Sequence, residues 1–368
     1  MSDKSVPFVD LTRQFKDLED DFVDIFKSIG RSGQYILGDA LGSFEEEIAT
    51  YCGVKYAVGV ANGTDALVLG MKALGIGVGD EVITVPNSFI SSVGAIMNVG
   101  ASARFIDVKN DLNMDPTKIK SAITDKTKAI LPVHLTGRPA EMDAISEIAQ
   151  QNGLVVLEDA AQAIGAMYSG DKVGSLGVLG GFSLHPLKNL HVYGDGGVLT
   201  TNNKDVYEEV LLLRNHGLKD RSTCVKWGIN SRLDNLQAAI AIRKLEVLDE
   251  LNNRFREIAS IYREELEDIV EVPVDTEREY SVYHNFVIQV DRRDELMDYL
   301  QREHNISTAI HYPALIHTQP AAKSLGYVEG DFPNAERIVK RMLSLPIFPE
   351  LTKDEILHVV SAIRQFYK

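Results

Sequence analysis

Between residues 55 and 201, short apolar runs alternate with longer stretches whose apolar side chains recur every three or four positions. The runs fall at 56–60, 81–85, 103–108, 129–134, 154–158, 181–184 and 197–201. Several are continuous, such as AILPV and LVVLED, which suits strands covered on both faces. Segments of helical period at 64–74, 88–99, 116–123 and 141–152 separate the earlier ones. This alternation predicts an α/β fold: a large, mostly parallel, seven-stranded sheet with helices on both sides. The last two runs follow each other too closely for an intervening helix, so that part of the sheet need not obey the strand–helix–strand rule.

Residues 234–268 read as one long helix without Gly or Pro. Beyond it come a strand-like SVYHNFVIQV, a helix DELMDYLQREHN, the segment STAIHYP and a final helix DEILHVVSAIRQFY. These predict a smaller C-terminal α+β domain over 251–368, after a large α/β domain over 1–250 that includes an N-terminal helical segment of about 40 residues.

The chain has 368 residues, 45% apolar and 25% charged. That is ordinary globular composition in a chain long enough to fill a core without staples. Thirty-eight basic residues against 53 acidic ones leave a net charge of −15. No run of five Lys or Arg interrupts it. Such a surface repels phosphate backbones and anionic lipid heads, so neither nucleic acid nor membrane is an expected partner. Two cysteines, Cys52 and Cys224, form no disulfide framework and no metal-binding pair. The first fifteen residues contain no apolar leader, and no apolar run reaches about 18 residues, so a cytoplasmic location is expected.

Two glycine patterns are decoys. Gly75-Ile-Gly77-Val-Gly79 follows a helix and precedes a strand, the reverse of a dinucleotide loop. Gly165 to Gly170 has the spacing of a Walker A motif, but Asp171 stands where that motif needs Lys. Gly63-Thr64-Asp65 is better placed, after a strand and at the start of a helix. Its N–H groups suit a phosphate, or Thr64 or Asp65 simply caps the helix. Asp159 stands just past an apolar strand, where α/β sheets place ligands. Adjacent Glu158 points the other way in extended chain. Lys188 lies between a strand and the turn Gly194-Asp195-Gly196-Gly197. It is either a surface loop lysine or a buried one, whose pKa falls and whose neutral amine becomes a nucleophile. The histidines form no metal-ligand pair on one helix, so no metal is expected.

These pieces converge on a resemblance. GQYILG (33–38), ANGTDAL (61–67), EDAAQAIGA (158–166), FSLHPLKNL (182–190), YGDGG (193–197), GINSRLDNLQAAI (228–240), IHYPALIHTQPA (310–321) and LSLPIFPELT (343–352) occur in the order found in the sugar-nucleotide aminotransferases of the DegT/StrS family. The chain resembles these fold type I pyridoxal 5'-phosphate (PLP) enzymes nearly end to end. The resemblance implies that Lys188 is the Schiff-base lysine and later the general base and acid. It places Asp159 on the pyridine nitrogen and Gln162 at the ring's phenolic oxygen. Phe89 would stack on one ring face, where other members carry Trp or Tyr. Gly63, Thr64, Asp65 and Ser183 would hold the phosphate. Asn230 would reach the phosphate of the neighbouring subunit, which implies a homodimer with shared active sites.

The implied reaction moves an amino group from L-glutamate to a keto-deoxy sugar linked to UDP or dTDP. The motifs look most like members that aminate C3; members acting at C4 share most of the same core. His311, Tyr312 and His317, with Tyr35, are candidate substrate contacts, set against ordinary packing in the small domain. A PLP sugar dehydratase typically carries His at the Schiff-base position, so Lys188 argues against it. A non-catalytic regulator would not need Lys188, Asp159 and Gln162 together. A nicotinamide oxidoreductase lacks its glycine fingerprint.

Overall fold

The computed structural model describes residues 5–368. Residues 1–4, part of the N-terminal stretch read above as lacking an apolar leader, lie outside the described residues. The strands are β1 (Tyr56–Val60), β2 (Glu81–Thr84), β3 (Ser102–Phe105), β4 (Thr127–Ile130), β5 (Val155–Asp159), β6 (Met167–Tyr168), β7 (Asp171–Lys172), β8 (Leu179–Ser183), β9 (Gly197–Thr201), β10 (Glu279–Tyr280), β11 (Phe286–Gln289) and β12 (Met342–Leu345). The first helices are α1 (Leu11–Ser32), α2 (Asp39–Cys52), α3 (Gly63–Ala73), α4 (Ile90–Asn98), α5 (Ile119–Ala122) and α6 (Met142–Gln151). The rest are α7 (Lys204–Leu213), α8 (Asn235–Leu245), α9 (Leu248–Leu266), α10 (Arg293–His304), α11 (Pro333–Val339) and α12 (Lys353–Phe366). No described helix is long and apolar enough to cross a membrane.

Seven strands form the main sheet in the order β1-β9-β8-β5-β4-β2-β3. Strand β9 alone runs against its neighbours, β1 and β8, and the other pairs are parallel. The exception is the closely spaced pair expected to break the rule. Alternate side chains feed two cores. Val58, Leu179 and Leu199 pack in one with α3, while Ala57, Phe182 and Val198 pack in the other with α2 and α8.

The stretch read as one helix over 234–268 is two. Glu246 and Val247 form a turn, with the Val247 N–H reaching back only three residues to Lys244 O. No Gly or Pro causes this; packing does. Leu245 and Leu248 belong to the core under the main sheet, whereas Phe255, Ile258 and Tyr262 belong to a C-terminal core. The turn lets the chain pass from one to the other. Val6 also joins that C-terminal core, paired with Ile306.

The SVYHNFVIQV run is a strand only over its second half, where β11 pairs antiparallel with β12. Residues 281–285 instead tie to the 136–137 turn, through Val282 N–H to Gly137 O and Asn285 N–H to Thr136 O. Tyr283 takes a φ of +46° there, a conformation costly for a bulky side chain.

Candidate functional site

Because six strands of the main sheet are parallel, the loops leaving β1, β2, β5 and β8 emerge at one edge. Asn62–Thr64, Ser88–Phe89, Asp159–Gln162 and Ser183–Lys188 therefore meet, and line a cavity of about 370 Å³. His284, His311 and Tyr312 of the C-terminal part close it. The volume lies in the range of about 300–1,000 Å³ usual for small-molecule sites.

Asp159 ends β5 and is buried. One oxygen accepts the Ser92 hydroxyl at 2.6 Å and the other the Ala161 N–H at 3.3 Å. Ser88 bonds Ser92 in turn at 2.7 Å. Burial raises the Asp159 pKa, and the Ser92 bond and Lys188 oppose that rise. Glu158 faces away, as the extended chain requires. It is fully buried and accepts the N–H groups of Gly174, Leu176 and Gly177 and the Nε2–H of His134. One carboxylate thus pins a loop while its neighbour faces the cavity. Gln162 accepts the Thr136 N–H and donates to the Tyr312 hydroxyl. Tyr312 also packs on Phe89, with ring centroids 5.4 Å apart.

Lys188 lies in the connection between β8 and β9, with its side chain in the cavity. Burial pushes its pKa down to about 8, with Asp159 pulling the other way. Its Nζ lies 3.4 Å from His284 Nε2.

Helix α3 opens at the rim. Asn62, not Thr64 or Asp65, is its cap, accepting the Asp65 N–H at 2.9 Å. Asp65 therefore has no N–H left for a phosphate, and its carboxylate accepts the Ser231 hydroxyl. The first-turn N–H groups of Gly63 and Thr64 remain beside Ser183. A Cβ on Gly63 would sit 2.8 Å from that of Ser183, so glycine keeps the two segments in contact. The donor set fits PLP: a nucleophilic amine, a buried carboxylate without a cation in hydrogen-bond contact, an aromatic face and a helix N-terminus.

Other expected residues lie elsewhere. His317 is buried beside Phe105 and Phe332 and does not line the cavity. It packs in the core that the 310–321 motif helps to fill. Asn230 and Tyr35 are exposed and outside the cavity. Conversely, the sequence reading missed Ser92, Asn189 and His284. Ser92 follows Phe89 by one helical turn, a spacing that could have revealed it. His284 was hidden inside an apparent strand.

Known proteins resemble this chain in sequence and in fold. Residues 16–364 match the DegT/DnrJ/EryC1/StrS aminotransferase family. A pleiotropic regulatory protein of Geobacillus stearothermophilus is 42% identical, over 99% of both chains. The dTDP-3-amino-3,6-dideoxy-alpha-D-galactopyranose transaminase of Aneurinibacillus thermoaerophilus is also 42% identical, over 98% of this chain and 99% of its own. Among solved structures, S. venezuelae DesV superposes with a TM-score of 0.96 at 40% identity, covering 99% of each chain.

Proposed function

Since the chain belongs to the DegT/DnrJ/EryC1/StrS aminotransferase family, we propose that it transfers the amino group of L-glutamate to C3 of a keto-deoxy sugar carried on UDP or dTDP. It is a sugar-nucleotide transaminase, and its cofactor is PLP. The reading rests on one observation: Lys188 and Asp159 face a single cavity whose rim is a helix N-terminus. The Aneurinibacillus relative, named for a 3-amino sugar, supports C3. The name of the Geobacillus relative points to regulation for that protein; a half-buried Lys188 that shares one cavity with Asp159 supports catalysis here.

When bound, PLP supplies an electron sink and carries the amino group between donor and acceptor. The protein supplies the rest. Lys188 offers a substantial neutral fraction near physiological pH, so it acts as nucleophile and then moves the proton at the reacting carbon. Asp159 is the residue for the ring nitrogen: a buried carboxylate is stabilised by a cation and so keeps that nitrogen protonated. Phe89 covers a ring face, and Gln162 serves the phenolic oxygen. Gly63, Thr64 and Ser183 hold the phosphate. His311 and Tyr312 contact the sugar.

The site is completed by a second copy of the chain. Among the described residues lining the cavity, Lys188 is the only Lys or Arg, set against Asp10, Asp159, Asp195 and Glu350. A diphosphate ligand needs more positive charge than that. Asn230 and Tyr35 lie on exposed segments with apolar neighbours Ile36, Leu37, Val225 and Trp227, a surface suited to a subunit contact. The division at residue 250 separates the cofactor-binding part from a C-terminal part that contributes His284 and His311. The enzyme works in the cytoplasm.

The direct test is an assay with glutamate and a panel of UDP- and dTDP-linked 3-keto and 4-keto sugars, reading 2-oxoglutarate and the amino sugar by mass spectrometry. Turnover confined to 3-keto sugars is expected. Turnover confined to 4-keto sugars moves the reaction to C4, and none at all with a loaded cofactor contradicts the proposal.

A further inference from the structure

We propose that His284 is a positioning residue for Lys188: its Nε2 accepts a hydrogen bond from the lysine amine, in a tautomer that Asn189 and Asn252 fix. The inference rests on the reading of Lys188 as the amine that carries the cofactor.

The argument starts at a backbone carbonyl. Asn252 of α9 donates its amide to Ile164 O at 3.1 Å, so its oxygen faces Asn189. Asn189 donates to that oxygen at 2.8 Å and to Val282 O at 3.1 Å. Both acceptors lie on one side, so the Asn189 amide cannot be turned over. Its own oxygen is left facing His284 Nδ1 at 3.3 Å. An acceptor there requires the proton to be on Nδ1. Burial, with Lys188, His311 and His185 nearby, keeps the imidazole neutral, so it has only that one proton. Nε2 then presents a lone pair to Lys188 Nζ at 3.4 Å. The opposite tautomer would set a lone pair against an oxygen and an N–H against the amine. Long contacts of this kind are usual before substrate tightens a site.

The surrounding fold is shaped for this relay. Gly165, at φ +87°, admits the Asn252 amide, since a Cβ there would sit 2.5 Å from its nitrogen. The 281–285 segment leaves the strand direction to deliver His284, and its neighbours Val282 and Asn285 anchor it to the 136–137 turn. The same loop that begins with Asp159 thus ends by fixing the group that orients Lys188.

The test uses the full-length protein, free of cofactor, labelled with ¹⁵N-histidine. Long-range proton–nitrogen correlation assigns the His284 ring by its loss in His284→Gln. A neutral ring with the proton on Nδ1 between about pH 6 and 9 is expected. A proton on Nε2, or an imidazolium, overturns the proposal. The second readout is competitive amine labelling of Lys188, with PLP capture followed at about pH 9.5, where the amine is neutral. His284→Phe should lower the Lys188 midpoint by about one pH unit, through loss of a charge-assisted bond. It should also slow capture about tenfold or more. His284→Gln, whose amide oxygen can accept, should stay within about threefold of the parent rate. Parent-like behaviour of His284→Phe on both readouts overturns the proposal. The tautomer measurement on the parent protein decides the matter if that variant fails to fold. Borohydride reduction of the loaded protein tests Lys188 separately: reduced cofactor on another residue removes that assignment, while the tautomer and labelling results judge the His284 contact.

Discussion

In the proposed mechanism Lys188 concentrates the chemistry because the fold holds it half-buried in the cavity. Desolvation lowers its pKa to about 8 from 10.5, so the cofactor-free protein should capture PLP faster as pH rises through about 8 and level off above. A midpoint near 10 in a stopped-flow titration would place the amine in water instead. The linkage has the matching sign. Between about pH 8 and 10.5 the unfolded chain holds a proton that the folded one has lost, so this group's contribution to stability improves as pH rises. Lys188→Ala should leave no borohydride-stable cofactor, read by intact mass. Asp159→Asn should still bind PLP but lose about two to three orders of magnitude in kcat; near-normal turnover would remove its role at the ring nitrogen. Both positions were legible in the sequence, an acid after an apolar strand and a lysine between a strand and a tight turn, but their roles came only from the resemblance. His284 and Asn189 were not, since their meaning depends on a partner about 95 residues away in the chain.

The strands of the main sheet could be read from the sequence because continuous apolar runs have few other uses. Their ends were less legible: the run at 129–134 is regular strand only to Ile130, beyond which a single parallel bridge from Val133 to Asp159 continues the pairing. The 234–268 stretch shows the limit of periodicity. Two helices and one helix share the same spacing, and only the change of core between Leu248 and Phe255 separates them. Capping was legible locally at α12, where Thr352 and Glu355 form a capping box. That Glu355 also receives a two-pronged bond from Arg13 of α1, at 2.9 and 2.7 Å, was not. The Arg13 bond holds the Glu355 pKa down at about 2. The folded-state value is below the ordinary 4.5, so this stabilisation is present above pH 4.5 and is lost as pH falls toward 2. Glu355→Gln should cost about 1–2 kcal/mol in chemical denaturation at pH 7, and the cost should shrink in acid.

In the proposed reading, the complete site requires two chains. A cavity lined by one lysine and several carboxylates is a poor host for a diphosphate, whereas Asn230 and Tyr35 wait on exposed apolar segments. Mixed dimers of Asn230→Ala and Lys188→Ala chains should therefore regain part of the activity that each parent lacks; dimers that form and stay inactive would contradict shared sites. The proposed subunit contact comes from the resemblance, since a single chain's apolar pattern does not distinguish a subunit face from a core. The most direct measurement on the whole account is the visible spectrum of the PLP-loaded enzyme before and after L-glutamate. A yellow band that bleaches as 2-oxoglutarate accumulates is the predicted result, joining the cofactor, Lys188 and the donor in one observation. A band that glutamate leaves unchanged, or no band after PLP is supplied, would contradict it.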